Sequence, residues 1–260
     1  MTVDSPSLGD RTALVTGAGR RIGRAIAVGL ARHGWRVAIH YNASDADARA
    51  VAELIEADGG QCALVRGDLT ADAELAGLVD RAAAAIGPLT CLVNNASVFE
   101  RDEVTTTTRE SWDRHMQVNL WAPFVLAQAF AASLPAGWSG HVINIVDQRV
   151  WNLTPHFTSY TVSKAALWTL TQTMALSLAP RIRVNAVGPG PTLPSPRQSE
   201  AQFRRQWSML PLARPASPEE VAAAVRFLLD APSLTGQMIA VDGGQHLGWG
   251  HAPSGLLADE

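Results

Sequence analysis

Cysteine is nearly absent: Cys62 and Cys91 are the only two in 260 residues. They form no C-x-x-C and no ligand-like pair, so no metal site is expected, and both read as buried apolar side chains in a reducing compartment. Long apolar runs are missing as well. No stretch reaches the length of a membrane span, and the polar start, Met1–Asp10, has no signal-peptide core. Charge of neither sign dominates. The formal net charge of −3 gives no case for nucleic acid or a membrane surface as partner. A cytoplasmic protein is the default expectation. What is present is 47% hydrophobic and 17% charged residues, the mix of a chain that buries a core.

The organising pattern is strand–helix alternation. Short runs rich in Val, Ile and Leu fall at Arg11–Thr16, Arg36–His40, Gln61–Arg66, Thr90–Asn94, His141–Val146, Ile182–Val187 and Gln237–Val241. Helical patterns fall at Ile22–His33, Asp45–Asp58, Asp72–Ile86, Arg109–Leu134, Phe157–Leu178 and Pro218–Leu229. Runs without polar alternation suit strands covered on both faces. The spacing predicts one α/β domain over residues 1–260: a doubly wound, seven-stranded parallel sheet with helices on both faces. Residues 188–217 break the rhythm. Pro189, Pro191, Pro194, Pro196, Pro211 and Pro215 fall there, and so long an insertion reads as a lid or binding loop. Within it Arg197, Arg204, Arg205 and Trp207 read as surface and packing residues, with contact to a substrate tail as the alternative.

Thr16-Gly17-Ala18-Gly19-Arg20-Arg21-Ile22-Gly23 follows the first strand and opens the first helix. Glycines there let backbone N–H groups approach a pyrophosphate at the positive end of the helix. An acid after the second strand would select NAD and repel a 2′-phosphate. The sequence instead reads His40-Tyr41-Asn42-Ala43-Ser44, with Asp45 the first acid and Arg20 and Arg21 nearby. This pattern predicts NADPH.

Tyr160 and Lys164, four residues apart, share one face of a helix. A cation beside a phenol favours proton exchange near neutral pH. With the glycine turn, Asp68-Leu69, Asn94-Asn95-Ala96, Asn119, Pro189-Gly190 and Asp242-Gly243-Gly244, the chain resembles the short-chain dehydrogenase/reductase family over nearly all of residues 10–245. The resemblance implies a single-domain Rossmann fold. It places Asp68 and Leu69 at the adenine and Asn94 to Ala96 along the cofactor. Asn119 would hold a relay water, Lys164 the nicotinamide ribose, and Pro189-Gly190 the nicotinamide amide. Asn119 read alone is a helix-bending polar residue, and Asp242 a turn residue. The resemblance also implies a homotetramer, with the Phe157–Leu178 helix at an interface. The stripe Leu167, Leu170, Met174 and Leu178 fits that place and a core helix equally.

Two departures from the family pattern stand out. Arg21 occupies a usual glycine, and Asp147 stands thirteen residues before Tyr160 where the family has a serine. A serine there donates to a carbonyl oxygen as its charge grows; an ionised aspartate would repel that charge. Either Asp147 is protonated, or the substrate offers N–H donors and a C=N bond. The second option matches pteridine reductases, which the chain resembles in Asp147, Tyr160, Lys164, Arg21 and Asn94-Asn95-Ala96-Ser97. That resemblance implies a pterin stacked on Phe99, bonded by Ser97 and reached by Arg21, with His40, Tyr41 and Ser44 near the adenosine and its 2′-phosphate. Phe99 as plain core is the alternative, and Trp151 lines the pocket or caps the core. Two other functions share the scaffold: a short-chain reductase of a ketone, 3-oxoacyl thioester or sugar, and an NADP-sensing protein without turnover.

Overall fold

Neighbouring residues of each apolar run turn to opposite faces, and both faces are covered. Ala13 and Val15 enter one core while Leu14 enters the other; Cys91 and Val93 part from Leu92 in the same way. That is why these runs carry no polar alternation. The computed structural model describes residues 11–248. In it β1 (Thr12–Val15), β2 (Arg36–Tyr41), β3 (Cys62–Arg66), β4 (Cys91–Asn94), β5 (Gly140–Ile145), β6 (Ile182–Pro189) and β7 (Met238–Val241) form one sheet, in the order β3-β2-β1-β4-β5-β6-β7. Every pairing is parallel.

The helices are α1 (Arg21–Ala31), α2 (Asp45–Ala57), α3 (Asp72–Ala76), α4 (Leu78–Ile86), α5 (Arg109–Met116), α6 (Ala122–Ser133), α7 (Thr158–Leu178), α8 (Glu200–Ser208) and α9 (Pro218–Asp230). Ile26 and Leu30 of α1, Val51 and Ile55 of α2, and Val225 and Leu228 of α9 fill one core. Leu78 and Ala82 of α4, Leu126 and Phe130 of α6, and Met174 of α7 fill the other. The strand order reverses between β1 and β4, and the crevice at their C-terminal ends is where such sheets take ligands. The glycine turn after β1 and the Asn94-Asn95-Ala96 stretch after β4 both end there.

The elements depart from the sequence pattern in three places. Asp72–Ile86 breaks at Gly77 into α3 and α4. Arg109–Leu134 is interrupted by a π-helical turn, Gln117–Trp121. Pro123 follows it and has no N–H to offer the Asn119 carbonyl four residues back. Residues 188–217 contain α8, closed by a capping box: Ser199 Oγ accepts from Gln202 N at 3.2 Å and Gln202 Oε1 accepts from Ser199 N at 2.7 Å. This Ser-x-x-Gln signal was present in the sequence. The stripe Leu167, Leu170, Met174 and Leu178 packs inward on the core, so α7's outward side is marked instead by Val162 and Leu176, 41% and 84% exposed.

Trp151 neither lines the pocket nor caps the core: it is 43% exposed and meets Trp168 and His246 edge-on. Cys91 is buried as expected and Cys62 is only half-buried. No helix among the described residues is long and apolar enough to cross a membrane. The tail beyond 248 and Met1–Asp10 lie outside the described residues.

Candidate active site

The turn between β1 and α1 is built for close approach. Gly17 has φ +62 and Arg21 φ +50. Glycine enters this left-handed region freely, whereas Arg21 does so at a cost of about 1–2 kcal/mol. A Cβ on Gly23 would lie 2.2 Å from the Gly17 carbonyl oxygen, so only glycine fits there. The first turn of α1 has no side-chain cap and no acidic residue, whereas α8 and α9 have both. The positive end of α1 is therefore left for an anion.

A cleft of about 770 Å³ opens from this turn along the ends of the strands. Gly17, Arg20, Arg21, Ile22, Gly23, His40, Tyr41, Ser44, Asp68, Leu69, Asn95, Ala96, Ser97, Phe99, Asp147, Tyr160, Lys164, Pro189 and Gly190 all line it. Gly19, Asn94 and Asn119 do not. Gly19 faces the start of α2, where a Cβ would sit 3.3 Å from Ala48 N. Asn94 donates to Asn144 Oδ1 at 2.9 Å inside the sheet. Thr16 Oγ1 accepts from the backbone N of Asn95 and of Ala96, at 2.9 and 3.0 Å, tying the two loops together.

His40 is no cation for a phosphate. Burial pulls its pKa down to about 4. Its Nδ1 accepts from Gly17 N at 3.1 Å, and Nε2 donates to the Gly67 carbonyl at 3.0 Å, the tautomer this pairing requires. The ring braces the glycine turn. Tyr41 Oη donates to Asp45 at 2.8 Å, and Arg49 donates to the same carboxylate at 2.6 Å, so the first acid after β2 is already engaged. Arg20 forms an exposed pair with Asp47 at 2.6 Å, of the weak kind that water screens. Arg21 donates to the carbonyls of Leu193 and Pro194, at 3.2 and 2.9 Å, holding the proline-rich segment after β6 against the turn.

The Asn119 carboxamide is fully engaged with protein. It donates to Val98 O and Ser163 Oγ and accepts from Val98 N and Ser97 Oγ, all between 2.8 and 3.1 Å. The side chain thus clamps the loop after β4 to α7.

At the sheet end of the cleft Tyr160 Oη donates to Asp147 Oδ2 at 2.9 Å. Asp147 caps the short turn Gln148–Val150, its Oδ1 accepting from Arg149 N at 2.7 Å. Lys164 is fully buried and donates to the Ile145 carbonyl at 2.8 Å. Burial pulls its ammonium down to about 8, against the pull of Asp147, which raises it.

Residues 17–246 match the family model described as enoyl-(acyl carrier protein) reductase. A short-chain type dehydrogenase/reductase of Picea abies is 35% identical over 92% of this chain and 93% of that protein. The chain belongs to the short-chain dehydrogenase/reductase family. A 3-oxoacyl-[acyl-carrier-protein] reductase of Synechocystis is 33% identical over 90% of this chain and 96% of its own length. The crystal structure of FolM alternative dihydrofolate reductase 1 from Brucella canis, complexed with NADP, is 49% identical. It superposes with a TM-score of 0.91 over 96% of this chain and 99% of that one.

In this short-chain dehydrogenase/reductase the helix that carries Tyr160 and Lys164 has no cap of its own. Its N-cap, Phe157, is left-handed at φ +62 and makes no side-chain bond to the helix. The cap comes from Asp102, a residue the sequence pattern did not single out. Its backbone carbonyl accepts from Phe157 N at 2.7 Å, and its carboxylate accepts from Ser159 N at 3.1 Å, from Ser159 Oγ, and from Ser111 Oγ at 3.2 Å. Burial pushes the Asp102 carboxyl up, but the hydrogen bonds from Ser159 and Ser111 outweigh it and hold the group below the usual carboxylate range. His115 adds a third tie, with Nδ1 2.8 Å from Ser159 Oγ and Nε2 accepting from Glu100 N at 3.2 Å. Phe99 also differs from expectation: one of its faces is already stacked on Phe157, and the Tyr160 ring meets it edge-on with centroids 4.7 Å apart.

Two predictions follow from this geometry. Asp102→Ala strands Ser159 N and two hydroxyls and uncaps α7. Denaturant unfolding should show a loss of about 2 kcal/mol. The kcat should fall about tenfold through misplacement of Tyr160, with NADPH affinity unchanged. The second concerns Lys164. Its folded pKa of about 8 lies below the ordinary 10.5. Between those values the unfolded chain holds the extra proton, so wild-type stability gains with rising pH. Melting curves should therefore show the Tm of Lys164→Met, relative to wild type, falling by a few degrees from about pH 7 to about pH 10. A constant difference would contradict the burial argument.

Proposed function

We propose that this protein is an NADPH-dependent reductase of a C=N bond in a reduced pterin, of the dihydropterin or dihydrofolate type. The observation that carries the reading is the Asp147 carboxylate in hydrogen-bond contact with Tyr160, where the family pattern has a serine.

The cofactor assignment is supported by the residues present. The uncapped, acid-free first turn of α1 suits a pyrophosphate. Asp45, which would otherwise oppose a 2′-phosphate, is engaged by Tyr41 and Arg49. The exposed Arg20 is free to turn from Asp47 toward a phosphate at little cost. NADPH supplies hydride when bound.

The chain's own residues account for the rest. Lys164, buried and cationic below about pH 8, lies 5.8 Å from the centre of the Tyr160 ring. The outer face of Phe99 offers a flat heterocycle an offset stack. Asp147, an acceptor beside the Tyr160 hydroxyl, suits a ligand that presents N–H donors. Tyr160 or an ordered water, with Asp147 as partner, delivers the proton to ring nitrogen. A carbonyl substrate would instead place growing negative charge against the Asp147 carboxylate. The Brucella canis relative, a dihydrofolate reductase by name, supports the same reading. The 3-oxoacyl reductase relative keeps a carbonyl substrate as the rival.

Asp147→Ser should cut dihydropterin-dependent NADPH oxidation about a hundredfold or more, while a panel of ketones and 3-oxoacyl thioesters gains or stays flat. Undiminished pterin turnover in that variant would remove Asp147 from the mechanism. Assembly as a homotetramer belongs to the same proposal, supported by the family resemblance and by Val162 and Leu176 on the outward side of α7. Light scattering should give four times the 27.7 kDa chain mass; a monomer would refute it.

A further inference from the structure

Phe99 and Phe157 form a parallel pair, ring centroids 4.4 Å apart and planes 5° from parallel. The Arg197 guanidinium carbon lies 5.3 Å from the Phe99 centroid and 5.8 Å from that of Phe157. Nearly equal distances to two stacked rings put the cation beside the rim of the stack, not over an outer face. The rim is the positive edge of an aromatic ring, so the ring quadrupole does not hold the cation there. What ties it is one hydrogen bond, Nη2 donating to the Phe99 carbonyl at 2.9 Å. A guanidinium has five N–H donors.

Arg149 flanks the same stack, 5.0 Å from Phe157 and 6.0 Å from Phe99, but it is buried and donates to Thr154 Oγ1 at 2.7 Å. Arg114, at the cleft wall, is paired with Glu100 at 2.8 Å. Arg197 is exposed and, among the described residues, pairs with no carboxylate. It sits in the lid between Ser195 and Gln198, both of which line the cleft. Phe157 covers one face of Phe99 and the Tyr160 ring meets Phe99 edge-on at 4.7 Å, so a heterocycle that stacks on the part of the ring left over sends its tail past the rim. Arg149 closes that rim on the buried side, and Arg197 marks it on the open side.

We infer that Arg197 is an anion subsite at the mouth of the cleft, which recognises a carboxylate on the substrate's tail. The enzyme then favours reduced pterins with an acidic tail, the dihydrofolate class, over those with a neutral tail. This inference rests on the pterin reading above. A charge-assisted hydrogen bond is stronger than a neutral one, and guanidinium matches carboxylate geometry in a way lysine does not.

Steady-state NADPH oxidation is compared for wild type, Arg197→Gln and Arg197→Lys, with dihydrofolate and with the neutral-tailed dihydrobiopterin. In Arg197→Gln the KM for dihydrofolate should rise about tenfold and that for dihydrobiopterin stay within about twofold, with Arg197→Lys intermediate. Added salt should raise the dihydrofolate KM of wild type and not of Arg197→Gln. An equal rise for both substrates means that Arg197 only latches the lid to Phe99, and overturns the inference; so does no change for either. Failure of the pterin reading is separable, because wild type would then turn over neither pterin before any substitution is made.

Discussion

Helix α7 begins without a cap of its own, and the chemistry of the site hangs from how that end is held. Tyr160 and Lys164 lie in its first two turns, and a frayed start would move both. Asp102 supplies the missing cap from a loop more than fifty residues earlier in the chain. The same loop carries Ser97 and Phe99, so one carboxylate fixes Tyr160, Lys164 and the Phe99 ring relative to one another. Asn119 repeats the tie from below, joining Val98 to Ser163. The contrast with α1 is instructive. Both helices lack an acid in the first turn. In α7 the protein fills the gap with Asp102, whereas α1 opens into the cleft and keeps its positive end for a ligand.

Burial governs the electrostatics of this centre. Lys164 sits wholly inside the protein with the Ile145 carbonyl as a hydrogen-bond partner, and its hold on a proton weakens accordingly. Asp147 partly restores that hold. His40 shows the opposite use of burial: it is kept neutral, so that its ring can brace the glycine turn without adding charge near the cofactor. A histidine beside a phosphate-binding turn invites a charge-based reading, and its surroundings rule that out.

Much of this was legible in the sequence, for identifiable reasons. The strands were visible because both faces of the sheet are covered, which removes polar alternation. The cleft residues after β1, β2 and β4 were visible because their motifs are contiguous and lie at strand ends. Asp147 was visible through its spacing to Tyr160. Asp102 was not, because its role depends on a tertiary approach with no local signature; Arg101-Asp102-Glu103 reads as an ordinary polar loop. The stripe of α7 left core and interface open because a core-facing and an interface-facing helix have the same period. The Ser-x-x-Gln start of α8 was present, but the prolines around it favoured a loop. Phe99 was read for its ring alone, and nothing in its neighbourhood told of Phe157, far along the chain and held left-handed at the start of α7.

Two departures from the family pattern reinforce each other. Arg21 occupies a left-handed position that glycine would fill without strain, and the guanidinium it brings reaches the lid carbonyls of Leu193 and Pro194. Backbone strain of this kind persists only where the surroundings over-determine it. Here those surroundings are the lid and the cleft, and simple phosphate binding would not require an arginine at that φ. Asp147 makes the matching demand from the other wall, since a carboxylate there disfavours a growing oxyanion and favours a donor-bearing ring. On the proposed reading, a strained cation on one side of the cleft and an acceptor on the other favour a flat heterocycle rich in N–H groups. In that proposal the joint demand of Arg21 and Asp147, more than any single residue, is what would separate this cleft from a general carbonyl-reducing one on the same scaffold.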